Sequence, residues 1–238
     1  MKGKLKNIFL ALLLGSIGIS SFAYAVPDFT PGDENSTNRD EAIKLPEISY
    51  DSEISIEEAL SERRSVRSYV DTSLDLRQVS QIFWAAQGIT DPSRGYRTAP
   101  SAGALYPLEV YIIAGKINGL SPGVYRYIPE EHELIRKTEG DKRQELFEAA
   151  LYQSPVKEAP AVLVFTAIFK RTTKKYGDRG IRYVYMEAGH ASQNVYLQAV
   201  SLGIGTVSIG AFDNQKVKTV LNLSEQEEPL YIMPIGVI

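Results

Sequence analysis

A cluster of basic residues in the first third of the chain is the clearest candidate for binding chemistry. Arg63, Arg64, Ser65 and Arg67 lie within five consecutive positions. Guanidinium groups donate hydrogen bonds through a planar fork, and a phosphate accepts them from several directions at once, so this spacing indicates a phosphate site. The alternative is a solvated basic helix end, which the helix dipole also favours and with which the preceding glutamates could pair.

A run of small residues at positions 98–107 is a second candidate, and Pro100, Ser101, Ala102 and Gly103 stand in its middle. Side chains this small allow a flat ligand to lie directly against the backbone. The alternative is an ordinary rigid loop. From the residues alone, both explanations stay open.

A basic stretch with interleaved tyrosines covers 170–185 and contains Lys175 and Tyr176. The net charge of the chain is -3, which counts against a general nucleic-acid binder. A solvated loop, or a surface that recognises an anionic substrate, explains the stretch better. Neither pattern needs a nucleic-acid partner.

No metal site is expected. His132 and His190 have no His, Asp or Glu partner at the spacing of a metalloenzyme motif, and the chain has no cysteine. The sequence also lacks the G-x-G-x-x-G fingerprint of a dinucleotide-binding domain, so any nicotinamide would have to bind transiently.

The elements that must position these residues alternate between helix and strand. With 238 residues, 44 % of them hydrophobic, the chain is long enough for one packed α/β domain. We predict an α+β fold, arranged as an α/β sandwich with few parallel crossovers. The predicted helices cover 55–64, 75–86, 141–152, 181–202 and 213–221. The predicted strands cover 108–114, 123–128, 133–137, 161–168, 206–210 and 230–237, and 89–107 is predicted to be a long loop.

The longest predicted helix, 181–202, carries two neighbouring stripes. The polar stripe contains Glu187, His190, Asn194, Gln198 and Ser201, and the adjacent stripe consists of small or apolar side chains. Small residues allow another backbone to approach closely. The pattern is typical of a core helix shared with a partner subunit, or of a helix whose polar stripe is solvated.

The N-terminal part has the pattern of a secretory signal. Lysines at positions 2, 4 and 6 precede an apolar run, and Ala23-Tyr24-Ala25 supplies small residues where a signal peptidase reads them. We predict a signal peptide at 1–25, a linker or extended arm at 26–50 and the folded domain at 51–238. The protein is then exported, to a periplasm or the exterior, without a stable membrane partner; an uncleaved membrane anchor is the alternative.

Five segments together resemble the nitroreductase superfamily, and most closely its SagB/ThcOx-type azoline dehydrogenase branch. The resemblance begins near Ile56 and extends to the C-terminus. It is carried by the arginine-serine cluster at 63–67, Pro100 to Pro107, Lys174 to Gly180, Glu187 to Asn194, and Leu202 to Phe212. The order of the segments makes the resemblance specific.

The resemblance implies an FMN cofactor and an entwined homodimer with two flavins at the interface. Arg63, Ser65 and Arg67 would hold the phosphate, ribityl chain and pyrimidine edge, with Arg64 adding charge. Pro100, Ser101, Ala102 and Gly103 would lie along the isoalloxazine of the other subunit. Ile209 and Gly210 would present backbone N–H groups near flavin N5 and O4.

The resemblance further implies ping-pong hydride transfer from a donor such as NAD(P)H to a small organic acceptor. In the azoline dehydrogenases a Lys-Tyr pair removes the substrate proton, and Lys175 and Tyr176 match it. The alternatives are that both are surface groups, and that the chain is a non-catalytic flavin-binding protein. The chain departs from the family's pattern in two ways. Export would separate it from cytoplasmic cyclodehydratase partners. The sequence also ends before a basic residue that many relatives carry and that binds the phosphate, so Arg63, Arg64 and Arg67 should carry most of the phosphate charge.

Overall fold

The structure is a computed structural model that describes residues 42–238. The predicted signal peptide and the predicted linker as far as residue 41 lie outside the described residues. None of the helices in the described part is long and apolar enough to cross a membrane.

A seven-stranded sheet forms the centre of the described residues. In chain order the strands are β1 (Ala42–Lys44), β2 (Leu74–Asp75), β3 (Ile89–Asp91), β4 (Tyr96–Arg97), β5 (Leu108–Ala114), β6 (Ile117–Asn118), β7 (Gly123–Ile128), β8 (Glu133–Glu139), β9 (Ala161–Ala167), β10 (Ile204–Thr206) and β11 (Glu228–Val237). The large sheet has the order β1-β8-β7-β5-β9-β11-β10, and every neighbouring pair in it is antiparallel. Strands β2 with β6 and β3 with β4 form two small separate sheets.

Helices cover both faces of this sheet. They are α1 (Ile56–Glu62), α2 (Leu76–Gln87), α3 (Arg143–Ala149), α4 (Ser154–Glu158), α5 (Lys170–Tyr176), α6 (Arg179–Ser201) and α7 (Asn214–Leu221), and a short 3-10 turn covers Ala102–Ala104. Helix α1 begins where predicted, because the Ser55 side chain accepts a hydrogen bond from the Glu58 N–H. Helix α2 begins at a complete capping box formed by Asp75 and Gln78.

The alternation of side chains along β9 explains the layers. Leu163 and Phe165 belong to a core cluster that includes Val195 of α6, whereas Val162 and Val164 belong to a second cluster with helices α3 and α7. All seven residues of β9 are buried, which accounts for its continuous apolar sequence. The architecture is a three-layer sandwich, as the patterning predicted.

Four sequence predictions are wrong in detail. The strand predicted at 206–210 is β10, which covers Ile204–Thr206 instead. The predicted loop at 89–107 contains the β3–β4 hairpin, and the basic stretch starting at Lys170 forms helix α5. The domain begins earlier than residue 51, because β1 pairs with β8 and Leu45 is buried in the core. The Ser49 N–H also donates to the Gln81 side chain, so this part of the predicted arm is integral to the fold.

Helix α6 uses its two stripes differently. Ala188, Ala191, Val195 and Ala199 of the apolar stripe are buried against the sheet of the same chain, and Leu202 is partly buried. In the polar stripe, Glu187 is buried and the Asn194 amide donates to the Thr98 carbonyl at 3.2 Å, while His190 is exposed. The polar stripe is therefore only partly solvated.

Candidate functional site

The arginine-serine cluster follows directly after α1. Helix α1 ends because Arg63 leaves the helical conformation, and the chain then runs beside β10, with the Val66 N–H donating to the Thr206 carbonyl at 2.9 Å. Gly205 permits this close approach, since a Cβ there would lie 2.7 Å from Val66 atoms. The cluster is thus fixed in place through its backbone, and the side chains of Arg64, Ser65 and Arg67 are exposed.

Tyr196 of α6 joins this cluster to the turn that carries Gly210. Its hydroxyl lies 3.2 Å from the Ser65 hydroxyl and accepts a hydrogen bond from the Ser208 N–H at 2.8 Å. The Arg63 guanidinium stands over the Tyr196 ring, 5.3 Å from its centre. The sequence analysis missed Tyr196 and Ser208, because only the tertiary structure shows that both lie beside the arginines.

The charges of the cluster are not neutralised within the described part of the chain. Across residues 42–238, Arg63, Arg64 and Arg67 form no ion pair with a carboxylate. The Arg64 guanidinium instead donates to the carbonyls of Ser61 and Arg63 at the end of α1, both at 2.8 Å. Arg64 therefore faces the helix end, and Arg63 and Arg67 remain as the cations available to an anion.

The turn after β10 was expected to offer two backbone N–H groups, and this is wrong for Ile209. The Ile209 N–H donates to the Ile232 carbonyl at 2.8 Å, and Ile209 is buried. Gly210 is exposed, so it is the member of the pair that can present its N–H to a ligand. The hydroxyl of the adjacent Ser208 is buried without a protein partner in the described residues.

The small-residue loop lies near the other half of α6. Its backbone enters the left-handed region three times: Gly103 has a φ of 66°, which glycine adopts freely, whereas Ala104 at 53° and Tyr106 at 43° are strained. Pro100 and Gly103 are exposed, and Ser101 accepts a hydrogen bond from the Tyr106 N–H at 2.9 Å. The loop thus presents exposed backbone, as the binding of a flat ligand requires.

Lys175 and Tyr176 pack against this loop. A Cβ on Gly103 would lie 2.7 Å from the Tyr176 hydroxyl and 3.0 Å from Lys175 Nζ. Arg171, one helical turn earlier in α5, donates to the Tyr106 carbonyl at 3.1 Å and pairs with Glu109 at 2.6 Å. The predicted pair and the predicted loop are therefore brought together, although 72 positions separate Gly103 from Lys175 in the sequence.

The arginine cluster and the Pro100–Gly103 part of the loop lie beside different positions of α6 within one chain. Tyr196 lies beside the arginine cluster, whereas Glu187, nine positions earlier, lies near Ser101; Thr98, at the start of the loop, is bonded to Asn194 between them. At roughly 1.5 Å per residue, the nine positions from Glu187 to Tyr196 span about 13 Å along the helix axis. In the described residues, no group of His, Cys, Asp or Glu side chains is arranged to hold a metal ion.

Comparison with known proteins assigns the chain. The profile of the Nitroreductase family matches residues 60–237. The chain belongs to the nitroreductase family. A protein of Methanocaldococcus jannaschii, named provisionally as a nitroreductase, is 50 % identical over 194 residues, which are 82 % of this chain and 95 % of that protein. The protein is therefore an oxidoreductase of this family, whose members generally bind flavin.

Solved structures support the fold and the branch. A nitroreductase-like protein from Ralstonia eutropha matches with a TM-score of 0.74 and 31 % identity, covering 83 % of this chain and 89 % of that one. The microcin B17-processing protein McbC of Escherichia coli is 26 % identical over 68 % of this chain and 62 % of its own length. A chain of the E. coli microcin synthetase McbBCD complex matches with a TM-score of 0.65 and 25 % identity, covering 81 % of this chain and 76 % of that one. The SagB-type branch of the superfamily, expected from the sequence, is confirmed.

Proposed function

We propose that this protein binds FMN and transfers hydride between a reduced donor such as NAD(P)H and a small organic acceptor. The observation that carries the proposal is the arginine-serine cluster: Arg63 and Arg67 have no carboxylate partner within the described residues, and Tyr196 ties them to the turn at Gly210. Unpaired guanidinium groups beside exposed backbone fit a phosphorylated, planar ligand. The buried Ser208 hydroxyl without a partner adds a polar group on the same side.

Each residue then has a defined task. Arg63 and Arg67 bind the phosphate, Ser65 contributes its hydroxyl, and the Gly210 N–H donates to the ring system. Bound FMN supplies the capacity to accept and return a hydride. The protein contributes position and electrostatics. A donor and an acceptor that use the same open face must bind in turn, which gives ping-pong kinetics.

We also propose a homodimer in which the loop of one subunit completes the arginine site of the other. Two observations support it. Within one chain, the Pro100–Gly103 loop lies near the opposite half of α6 from Arg63. In addition, Ile181, Tyr185 and Met186 of α6 are exposed by 42 %, 55 % and 52 %, which is unusual for apolar side chains of a monomer. Light scattering after size-exclusion chromatography tests this, and a monomeric mass in the flavin-loaded protein would contradict it.

The absorption spectrum of the purified protein tests the main proposal. If the proposal is right, the protein takes up added FMN and shows a flavin absorption band in the blue region of the visible spectrum. That band disappears when NADH or NADPH reduces the flavin under anaerobic conditions. A protein that takes up no FMN would contradict the proposal at its first step. Uptake of FMN without reduction by any donor would instead identify a non-catalytic flavin-binding protein.

A second candidate is azoline dehydrogenation of peptides. Lys175 Nζ and the Tyr176 hydroxyl both lie close to Gly103 in the loop proposed to contact the flavin. Two relatives are the microcin B17-processing protein McbC of E. coli and a trifolitoxin-processing protein of Rhizobium leguminosarum. In this reaction Lys175 would take the substrate proton. The predicted export weighs against this candidate, because it would separate the chain from cytoplasmic partners.

Replacement of Lys175 distinguishes the two candidates. For azoline oxidation, Lys175→Ala should lower turnover of a thiazoline peptide about a hundredfold or more, since a positioned base typically contributes that factor. FMN occupancy should stay unchanged, and Lys174→Ala, at the exposed neighbouring position, is the control. If Lys175→Ala oxidises the thiazoline peptide as fast as the parent protein, Lys175 is a surface group.

We propose, finally, that residues 1–25 direct export and are removed. The support is the sequence pattern alone, since these residues lie outside the described part of the structure. Expression of the full chain followed by N-terminal sequencing tests it: the mature protein should begin at Val26. An intact N-terminus in the membrane fraction would favour the uncleaved anchor.

A further inference from the structure

The segment 45–50, which follows β1 and is called the strap below, forms part of the wall of a cavity of about 760 Å³. The other lining residues come from the end of α2, the β3–β4 hairpin, the turn before β8 and the end of the small-residue loop. Four aromatic rings are among them, which is typical of a pocket for a flat, unsaturated molecule: Tyr50, Trp84, Tyr106 and Tyr127. None of the arginines of the proposed phosphate site lines this cavity.

His132 ties the strap to the rest of the fold. Its carbonyl accepts a hydrogen bond from the Leu45 N–H at 3.1 Å. Its Nε2 atom lies 2.7 Å from Ser80 Oγ, and the Ser80 hydroxyl donates to the Pro46 carbonyl at 2.6 Å. Its Nδ1 atom lies 2.9 Å from the Tyr127 hydroxyl. The ring therefore stands between α2, β7 and the strap and is bonded on both sides.

One neutral form of the His132 imidazole satisfies this network. Because Ser80 gives its single proton to Pro46, Ser80 Oγ must accept a proton from Nε2 of His132. Nδ1 then has a lone pair and accepts from the Tyr127 hydroxyl. A protonated ring carries a second N–H, at Nδ1, which faces the Tyr127 O–H. Among the described residues that hydroxyl has no other hydrogen-bond partner to which it could turn, so protonation breaks the network.

The surroundings also disfavour a charge on His132. Burial lowers its pKa, the hydrogen bond to the Pro46 carbonyl raises it, and the positive charge of Lys44 lowers it further. The charged side chains on the elements around the ring are Lys44 in β1, Glu47 in the strap, Arg77 in α2, Arg97 in β4, Arg126 in β7 and Glu130, Glu131 and Glu133 at the start of β8 and in the turn before it. Within residues 42–238, none of these carboxylates forms an ion pair with His132.

We propose that the strap is a lid over the cavity, held closed by His132 and released when the imidazole is protonated. Protonation turns the contact with Tyr127 from attractive to repulsive, and the bonds that hold Leu45 and Pro46 are lost as the ring moves. The closed form binds fewer protons, so it is most stable above the ordinary histidine pKa of about 6.5 and loses stability as pH falls below that value. The lid needs no bound flavin and goes beyond the proposed function. Ala104 and Tyr106 also line the cavity, so the lid would control access beside the small-residue loop.

Trp84 reports the position of the lid. It is the only tryptophan of the chain, it lines the cavity, and the Tyr50 ring of the strap packs edge-on against it at 5.6 Å. Quenching of its fluorescence by acrylamide is measured on the full-length protein, freed of any flavin, between about pH 8 and pH 5. The ratio of open to closed molecules should rise by up to about tenfold for each pH unit below about 6.5. Far-ultraviolet circular dichroism should stay constant, because only the strap moves.

Two variants and a control make the test specific. His132→Asn cannot be protonated and tolerates the positive φ of 49° at this position, so its quenching should be the same at every pH. Tyr127→Phe removes the donor that favours the neutral ring, and its opening should shift to higher pH. His190→Asn replaces the other histidine of the chain, which is exposed on α6, and should open like the parent protein.

Three results would overturn the lid. They are a constant quenching of Trp84 across the pH range in the parent protein, the same transition in His132→Asn, and a loss of helical signal that accompanies the rise in quenching, since the last indicates acid unfolding of the whole domain. No step of the measurement uses a flavin. A protein that fails to bind FMN would therefore contradict the proposed function and leave the result for the lid unaffected.

Discussion

Arg143 on one side, and Arg63 and Arg67 on the other, differ in whether the arginine charge is paired. Arg143 is held by Asp141 at 2.6 Å and by the Ala159 carbonyl at 2.7 Å, and its side chain is 13 % exposed. Arg63 and Arg67, near the end of α1, have no carboxylate partner in the described part of the chain. A positive charge that stabilises a fold is normally paired at short distance, whereas a group of cations left unpaired beside exposed backbone indicates a ligand of opposite charge. The contrast separates the structural arginines from the candidate binding residues more clearly than sequence spacing does.

Removing an unpaired arginine should have the largest effect. Arg63→Ala or Arg67→Ala should weaken FMN binding about tenfold to a hundredfold, because each loses a hydrogen bond between charged groups. Titration of the flavin-free protein with FMN measures this, and thermal unfolding without flavin should be nearly unchanged. Arg64→Ala is the matched control: its guanidinium faces the carbonyls of Ser61 and Arg63, so its loss should affect FMN less. Equal, full flavin occupancy in all three variants would contradict the phosphate site.

Removing a paired arginine should show the reverse pattern. Arg143→Ala leaves the Ala159 carbonyl without its donor and Asp141 with only the backbone N–H of residue 143, and we expect the free energy of unfolding to fall by about 1.5–3 kcal/mol. The FMN dissociation constant should not change. Chemical denaturation measures the first quantity and flavin titration the second. A loss of FMN affinity in Arg143→Ala as large as that in Arg63→Ala would remove the distinction between the two groups.

Glu187 sharpens the comparison, because it is a buried charge without a close counterion. Its pKa, raised by burial to about 7, lies above the value of about 4.5 expected in the unfolded chain. The folded state then binds more protons between these values, so stability falls as pH rises from about 4.5 to 7, by at most about 1.4 kcal/mol per pH unit. Glu187→Gln should lose this part of the pH dependence. Identical unfolding curves for the parent and Glu187→Gln at each pH would mean that Glu187 does not titrate in this range.

Local chemistry explains which elements could be predicted. The strand at 108–114 and the helix that begins after Asp75 agree with the prediction, since a short apolar run and a capping box are signals within a few residues. The β3–β4 hairpin was missed because its strands are two or three residues long. Strand β1 was missed because its three residues gain stability only by pairing with β8.

The candidate site divides in the same way. The arginine cluster and the Lys175-Tyr176 pair are visible in the sequence, as charged or reactive groups a few positions apart. Tyr196 and Ser208 are not, because their role depends on where α6 and the turn after β10 meet. The commitment of the Ile209 N–H to Ile232 is likewise a consequence of strand pairing.

The sequence by itself determined the family, the main helices and strands and the residue types of the site, because these depend on periodicity, capping and short motifs. The tertiary structure decided which charges are paired, which backbone groups are already bonded and that Glu187 lies buried. Those properties depend on contacts between residues far apart in the chain. A charge or an N–H group has the same chemistry in any sequence, and only its neighbours in space determine whether it stabilises the fold or is left for a ligand.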